Sequence, residues 1–167
     1  MGFLSNFFGL NKKNKKTTEE TKVIETVKYN EHLIEKFKED HLELFELFSD
    51  IVEYRERNKS YSHELVDKLE ELKFGLEMHI LVEDKQLYTF LREKYGEDKA
   101  HEEMINGLQK SMSKIVKEVV FFIKKYSNKE SFDRNEKYFD KDLGEVGNIL
   151  TKRTSMEERK LYPMYEL

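Results

Sequence analysis

Two segments of this 167-residue chain have closely similar sequences, and both carry residues that suit metal binding. The first begins at His79 and reads HILVEDKQLY, and the second begins at Arg153 and reads RTSMEERKLY. When their Leu-Tyr pairs are aligned, Glu157 corresponds to Glu83 and Arg153 to His79. A spacing of four residues places both side chains of each pair on one face of a helix. The first pair therefore has the residue types of a metal site, whereas the second has an arginine in place of the histidine.

The composition excludes several other kinds of site. The chain contains no cysteine, which excludes disulfides, iron–sulfur clusters and thiolate zinc sites, so any metal must be held by histidine and carboxylate. The 30 Lys and Arg residues nearly balance the 34 Asp and Glu residues. This balance gives no case for nucleic-acid binding, and we predict no nucleic-acid partner.

The elements that must position these residues are four amphipathic helices. Apolar residues recur every three or four positions over residues 33–52, 65–91, 101–123 and 143–164, which is the helical period. Ser60 or Ser62 is suited to cap the second helix, and Gly96 to end it. A charged stretch containing Phe and Tyr precedes the fourth helix. Because short connections make neighbouring helices antiparallel, the pattern predicts an all-α protein, an up-down-up-down four-helix bundle.

Six polar residues interrupt the apolar stripes and indicate a shared buried centre, because a buried ionisable group is costly unless it is paired or binds a metal. They are His41, His79, Glu83, His101, Arg153 and Glu157. Alternatives remain for several of them. His79 and Glu83 suit either metal ligation or a buried hydrogen-bonded pair, and His101 could be solvated in a first helical turn. Glu157 could pair with Arg153, and the sequence does not decide whether Glu157 or Glu158 faces inward.

The levels of these residues along the bundle agree only in part. His41 and His79 lie about 16 and about 18 residues from the first turn, at similar depth. Across the second turn, Glu83 lies about 12 residues from Tyr95, but His101 lies only about 5 from Gly96. The second turn therefore fits a shared centre less well.

From about Tyr29 to Leu167 the chain resembles the haemerythrin-like family, whose domains contain two His…His-x-x-x-Glu units that hold a non-haem di-iron centre. The resemblance implies iron as cofactor, with Glu83 and Glu157 as bridging carboxylates. It also implies three terminal ligands: His41, His79 and His101. Arg153 occupies a histidine position of the family pattern, and Ile105 stands where a further ligand is expected. Because arginine stays protonated and cannot bind a metal, these departures argue against reversible oxygen carriage.

The resemblance implies a non-haem iron protein that senses or buffers oxygen, nitric oxide or iron, with dioxygen or nitric oxide as its small partner. The sequence names no substrate or general base for an oxidase or peroxidase. A second hypothesis is a metal-free helical adaptor. In this adaptor Arg153 replaces the charge of the metal by pairing with Glu83 and Glu157.

The N-terminal segment differs from the rest of the chain, so we divide the chain into a tail and linker at residues 1–20 and a bundle domain at residues 21–167. Phe3, Leu4, Phe7 and Phe8 share one helical face, and a lysine cluster follows at residues 12–16. This pattern is typical of either peripheral contact with an anionic membrane through residues 1–16 or contact with the bundle or a partner. The charge follows the apolar stretch, contrary to a secretory signal. We therefore predict a cytoplasmic location, with peripheral contact at the inner face of the membrane as an alternative.

Overall fold

The four expected helices are present as four rods in a computed structural model that describes residues 27–166. Their helical segments are α1 (Leu33–Arg57), α2 (His63–Val82), α3 (Thr89–Tyr95), α4 (Lys99–Ser127), α5 (Lys129–Asn135), α6 (Phe139–Met156) and α7 (Tyr162–Tyr165). α2 continues into α3, and α6 into α7, so that each pair forms one rod. α1 packs on α2 and α6, and α4 also packs on α2 and α6. The predicted all-α four-helix bundle is confirmed, and the described residues include no strand.

The ends of the rods follow local capping rules. The hydroxyl of Ser62 accepts a hydrogen bond from the amide of Leu65 at 3.0 Å, so Ser62, one of the two predicted caps, begins α2. α3 ends at Tyr95, directly before Gly96, as predicted. Asp98 caps α4 by accepting from the amides of Ala100 and His101.

Two features were absent from the sequence interpretation. The charged stretch before the fourth rod forms α5 and a short 3-10 turn, Glu136–Tyr138, and the fully buried Phe132 packs from α5 against the end of the bundle. In addition, each joint between α-helical segments within a rod is a π-helical turn. These turns are Glu83–Tyr88 and Glu157–Leu161, and each begins at the glutamate of its repeat. Isolated π-helical turns are frequent at functional sites.

The hydrophobic core consists of two clusters, one toward each end of the bundle. One includes Leu44, Leu76 and Leu150, and the other includes Phe37 and Leu161. Along three rods, all the buried polar residues except Arg55, which lies near the end of α1, are placed between the segments that contribute to these two clusters. The polar centre therefore sits in the middle of the bundle, surrounded by apolar layers on both sides.

Residues 1–26 lie outside the described residues. This range includes the segment 1–16 with predicted membrane contact and the predicted start of the bundle domain at residue 21. Within residues 27–166, no helix combines the length and apolar character needed to cross a bilayer.

Candidate metal centre

Three of the predicted ligands meet in the middle of the bundle. His41 of α1, His79 of α2 and Glu157 at the start of the second π-helical turn each place one donor atom within 4.8 Å of the others. Nε2 of His41 lies 3.0 Å from Oε2 of Glu157, and the two imidazole rings are 4.8 Å apart between centroids. The exposed fractions of these residues are 2%, 4% and 0%, respectively. We call these three residues the central cluster.

Glu83, the fourth predicted ligand, is fully buried beside the central cluster at the start of the first π-helical turn. Burial, and next the negative charge of Glu157, raise the pKa of Glu83 well above its usual range, and Arg153 offsets this only in part. Within the described part of the chain, Glu83 has no ion-pair partner, and both of its oxygens lack a hydrogen bond. Glu83 is thus a buried carboxyl group without a protein partner.

Both histidines are oriented by carboxylates at the rim of the bundle. Nδ1 of His41 lies 3.0 Å from Oε1 of Glu158, and Nδ1 of His79 lies 3.5 Å from Oδ2 of Asp40. Carboxylates in this position hold the proton on Nδ1 and leave Nε2 free as a metal donor. Glu157 therefore faces inward and Glu158 supports a histidine. The sequence gives only a weak signal that Glu158 and Asp40 support the histidines, because each is distinguished only by lying next to a predicted ligand in the chain.

Arg153 lies on the other side of Glu157 from His41, and each of its three guanidinium nitrogens donates one hydrogen bond. Its Nε donates to Oε1 of Glu157 at 2.6 Å, its Nη1 to the carbonyl of Leu108 at 3.0 Å and its Nη2 to the hydroxyl of Tyr88 at 2.9 Å. The expected pairing of Arg153 is therefore met for Glu157, whereas Glu83 lies outside ion-pair distance. Arg153 is only 2% exposed. A buried, permanently charged side chain therefore stands where the first repeat has His79.

The structure does not bring His101 to the central cluster. Its imidazole lies 2.8 Å from Oδ2 of Asp98 and stacks on Tyr95 at the start of α4, with 39% of its side chain exposed. At the level of the centre, α4 instead contributes the carbonyl of Leu108 and the side chain of Met112. The role of His101 as a ligand stays a prediction from the sequence.

Unpartnered polar atoms are concentrated at this centre. Five buried side-chain nitrogen and oxygen atoms lack a hydrogen-bond partner among residues 27–166. Three of them belong to His79 and Glu83, and a fourth, Oε2 of Glu157, has only its 3.0 Å ion-pair contact with Nε2 of His41. Such atoms are costly to bury, and one cation would satisfy several of their lone pairs together. Two donors of one metal at about 2.1 Å from it lie at most about 4.2 Å apart, so the central cluster needs only small shifts. Imidazole and carboxylate donors fit iron, among other divalent metals.

The charges of the cluster also suit a cation. Burial lowers the pKa of His79 more than Glu157 raises it, which favours the neutral, metal-binding imidazole. For Glu157, burial is outweighed by contacts with His41 and Arg153, and its pKa is lowered, so it remains a carboxylate. His41 has a raised pKa, because Glu157 and Glu158 outweigh the effect of burial. A cation that binds here therefore competes with protons for His41 and Glu83.

Two openings adjoin the central cluster. A small cavity of about 10 Å³ touches its three residues and is otherwise lined mainly by apolar side chains, including Leu44 and Met112. This volume is near the lower limit for one water molecule. A surface cleft of about 390 Å³ between α1 and α2 reaches His79 and Asp40. The cavity is thus small and mainly apolar, and the cleft connects the surface of the bundle with His79.

Comparison with known proteins identifies a family. The family model described as "Hemerythrin HHE cation binding domain" matches residues 32–165, which include the whole centre. No curated protein and no solved structure matches the chain.

Proposed function

Because the chain belongs to the hemerythrin HHE cation-binding domain family, we propose that it binds a single iron ion and thereby senses or buffers oxygen, nitric oxide or iron. His41, His79 and Glu157 would hold the ion, and Glu83 would complete the set. The observation that carries this proposal is the group of unpartnered buried donor atoms around one point of the bundle. Two imidazoles and two carboxylates are a donor set that iron commonly takes.

The proposal of one ion rather than two rests on Arg153. In the second repeat, Arg153 occupies the position that His79 has in the first, where a second metal would require a histidine. Its guanidinium group makes three hydrogen bonds there. Arginine stays protonated and binds no metal. The residues of α4 at this level, Leu108 and Met112, also offer no metal-binding side chain of the usual kinds. The fixed charge of Arg153 therefore stands in for the second cation.

The proposal of a diatomic ligand rests on the small cavity beside the central cluster. Bound iron would supply open coordination positions and one-electron chemistry at this point. Leu44, Leu76 and Met112 make the cavity wall largely apolar, and its volume of about 10 Å³ excludes larger substrates. A volume near that of one water molecule, with a mainly apolar wall, favours dioxygen or nitric oxide over a larger polar molecule.

The metal-free adaptor is the second candidate, and one observation favours it. Arg153 already neutralises Glu157 through a 2.6 Å contact, so part of the charge that a metal would balance is balanced within the chain. Glu83 does not fit this reading, because no cation of the described chain pairs with it.

Metal content separates the two candidates. The full chain would be purified without oxygen and without a His tag from iron-supplemented cells, and its metals counted by mass spectrometry. We expect about one iron per chain, and its loss when His41 and His79 are both changed to Ala. His101→Ala is the matched control and should retain iron, because His101 lies outside the central cluster. A chain that stays empty after reconstitution with ferrous iron would instead support the adaptor.

The location of this function is part of the same proposal. We propose a cytoplasmic protein that contacts an anionic membrane surface through residues 1–16. Sedimentation with vesicles containing anionic lipid, with and without residues 1–16, tests this contact. Equal recovery of both forms in the pellet would dismiss it.

A further inference from the structure

Two buried tyrosines occupy matching positions in the two repeats, and neither belongs to the central cluster. Tyr88 ends the first π-helical turn, and Tyr162 follows directly after the second. Both are almost fully buried, with exposed fractions of 0% and 1%. The hydroxyl of Tyr88 lies 2.9 Å from Nη2 of Arg153, and the hydroxyl of Tyr162 lies 3.1 Å from Nε2 of His41. Each phenol oxygen thus reaches the centre, one beside the fixed cation and the other beside the central cluster.

The position of the Tyr162 oxygen matches that of a neighbouring ligand. Donors at right angles around a metal, each about 2.1 Å from it, lie about 3.0 Å apart. Nε2 of His41 lies 3.0 Å from Oε2 of Glu157 and 3.1 Å from the oxygen of Tyr162. The phenol oxygen and the carboxylate oxygen are therefore both at ligand spacing from the same nitrogen.

We infer that Tyr162 is a further ligand of the centre, one that binds ferric iron as a phenolate; this inference rests on the proposed function. In the metal-free chain its hydroxyl is hydrogen-bonded to Nε2 of His41, and Glu158 holds Nδ1 of the same ring. On ligation the O–H bond breaks, the proton leaves to solvent, and a lone pair of the phenol oxygen forms the bond to iron. No electron is transferred in this step.

Charge balance explains why the ferric state would use Tyr162. Oxidation of iron from ferrous to ferric adds one positive charge to a buried site that already contains Arg153. An uncompensated buried charge is unfavourable. The phenolate of Tyr162 adds one negative charge, so the net charge of the centre is the same as in the ferrous state without it. Phenolate oxygen is an established ligand of protein-bound iron.

Tyr88 provides the matched control. It lies in the same Leu-Tyr pair of the other repeat, but its oxygen accepts a hydrogen bond from Arg153, which fixes it away from the metal position. Tyr88→Phe and Tyr162→Phe therefore remove the same atom from equivalent places in the sequence. They differ in whether that atom faces the central cluster.

The test uses the full chain loaded with ferrous ammonium sulfate and oxidised with ferricyanide. We expect a phenolate-to-iron charge-transfer band in visible absorption, with tyrosinate ring modes in the resonance Raman spectrum. Both signals should persist in Tyr88→Phe and vanish in Tyr162→Phe, which still binds iron. Ferric protein without these signals, or Tyr162→Phe with them, would overturn the inference. If Tyr162→Phe does not fold, a band that persists in Tyr88→Phe supports the inference, and its absence from the unmodified ferric protein or its loss in Tyr88→Phe overturns it. Protein that takes up no iron would overturn the proposed function as well, and metal content identifies that case.

Discussion

Nε of Arg153 lies 2.6 Å from Oε1 of Glu157, one helical turn further along the same rod. The other oxygen of this carboxylate, Oε2, lies 3.0 Å from Nε2 of His41. Glu157 therefore connects a fixed cation on one side with the central cluster on the other. In the proposed centre, Arg153 would thus balance one side of this carboxylate, while the other side would hold the metal ion.

Arg153→Leu should strongly destabilise the metal-free protein. The change leaves Glu157, the hydroxyl of Tyr88 and the carbonyl of Leu108 buried without their donor. Loss of one partner of a buried ion pair typically costs about 3–5 kcal/mol, and we expect a decrease of that order in the free energy of unfolding. Urea denaturation measures it.

The control for this change is Arg57→Leu, which removes an exposed pair with Glu53 in α1. Exposed pairs contribute little, so this variant should unfold almost as the unmodified protein does. Equal effects of the two changes would show that Arg153 is not an essential member of the centre.

Much of the fold and part of the centre could be predicted from the sequence, because helical periodicity is a local property. Apolar spacing located the four rods, and the polar interruptions on three of them identified His41, His79, Glu83 and Glu157. A buried polar residue on an apolar stripe is costly, so its presence marks a centre without knowledge of the partner.

His101 shows what apolar periodicity alone does not specify. It lies on an apolar stripe, but the depth of a residue in a bundle depends on its distance from the turn. Counted from the second turn, His101 is about seven residues short of the level of Glu83, or about 10 Å at 1.5 Å per residue. Its side chain accordingly stacks on Tyr95 near the turn.

Other features depend on packing between rods, which periodicity does not specify. The contacts of Asp40 and Glu158 with the histidines depend on how neighbouring rods are rotated. The two π-helical turns shift the residues that follow Glu83 and Glu157, which brings Tyr88 and Tyr162 inward. A pattern of three- and four-residue steps carries no signal for such a shift.

Gly147→Ala should weaken the packing of α6 on α1. A Cβ atom at this position would lie 2.7 Å from Cζ of Phe48, too close without a shift of the ring. Overpacking typically costs about 1–3 kcal/mol, so we expect a lower free energy of unfolding. The two rods that meet at this contact also carry His41 and Glu157, so iron affinity should fall as well.

Gly144→Ala is the matched control, one turn earlier on α6. A Cβ atom there meets no atom of the described structure within 4 Å. Replacing a helical glycine by alanine then stabilises by about 0.5–1 kcal/mol. Thermal unfolding of both variants should therefore shift in opposite directions, and shifts in the same direction would contradict the close approach of α6 to Phe48.

Removal of the carboxylates that orient the histidines should weaken metal binding without unfolding the chain. Glu158→Gln acts on His41, and Asp40→Asn acts on His79. Partners of this kind typically contribute a factor of about 10–100 in metal affinity, and we expect losses in that range. Competition with a coloured ferrous chelator measures the affinity.

The control is Glu39→Gln, because Glu39 is an exposed neighbour of Asp40. This change should leave the iron affinity unchanged, and an equal loss in this variant would point to a general charge effect.

Glu83→Gln should stabilise the metal-free protein and weaken iron binding. Burial, with the nearby Glu157, raises the pKa of Glu83 above its ordinary 4.5, so the folded chain holds this proton more tightly than the unfolded chain. The stability of the unmodified protein is then full below the ordinary carboxyl range and is lost as the pH rises toward the folded pKa. Glutamine removes this loss, so the advantage of the variant in urea unfolding should grow as the pH rises above the ordinary carboxyl pKa. Glu77→Gln, which removes an exposed carboxylate from α2, controls for net charge. A variant with iron affinity intact, or with no gain in stability at the higher pH, would show that Glu83 is an ordinary structural residue.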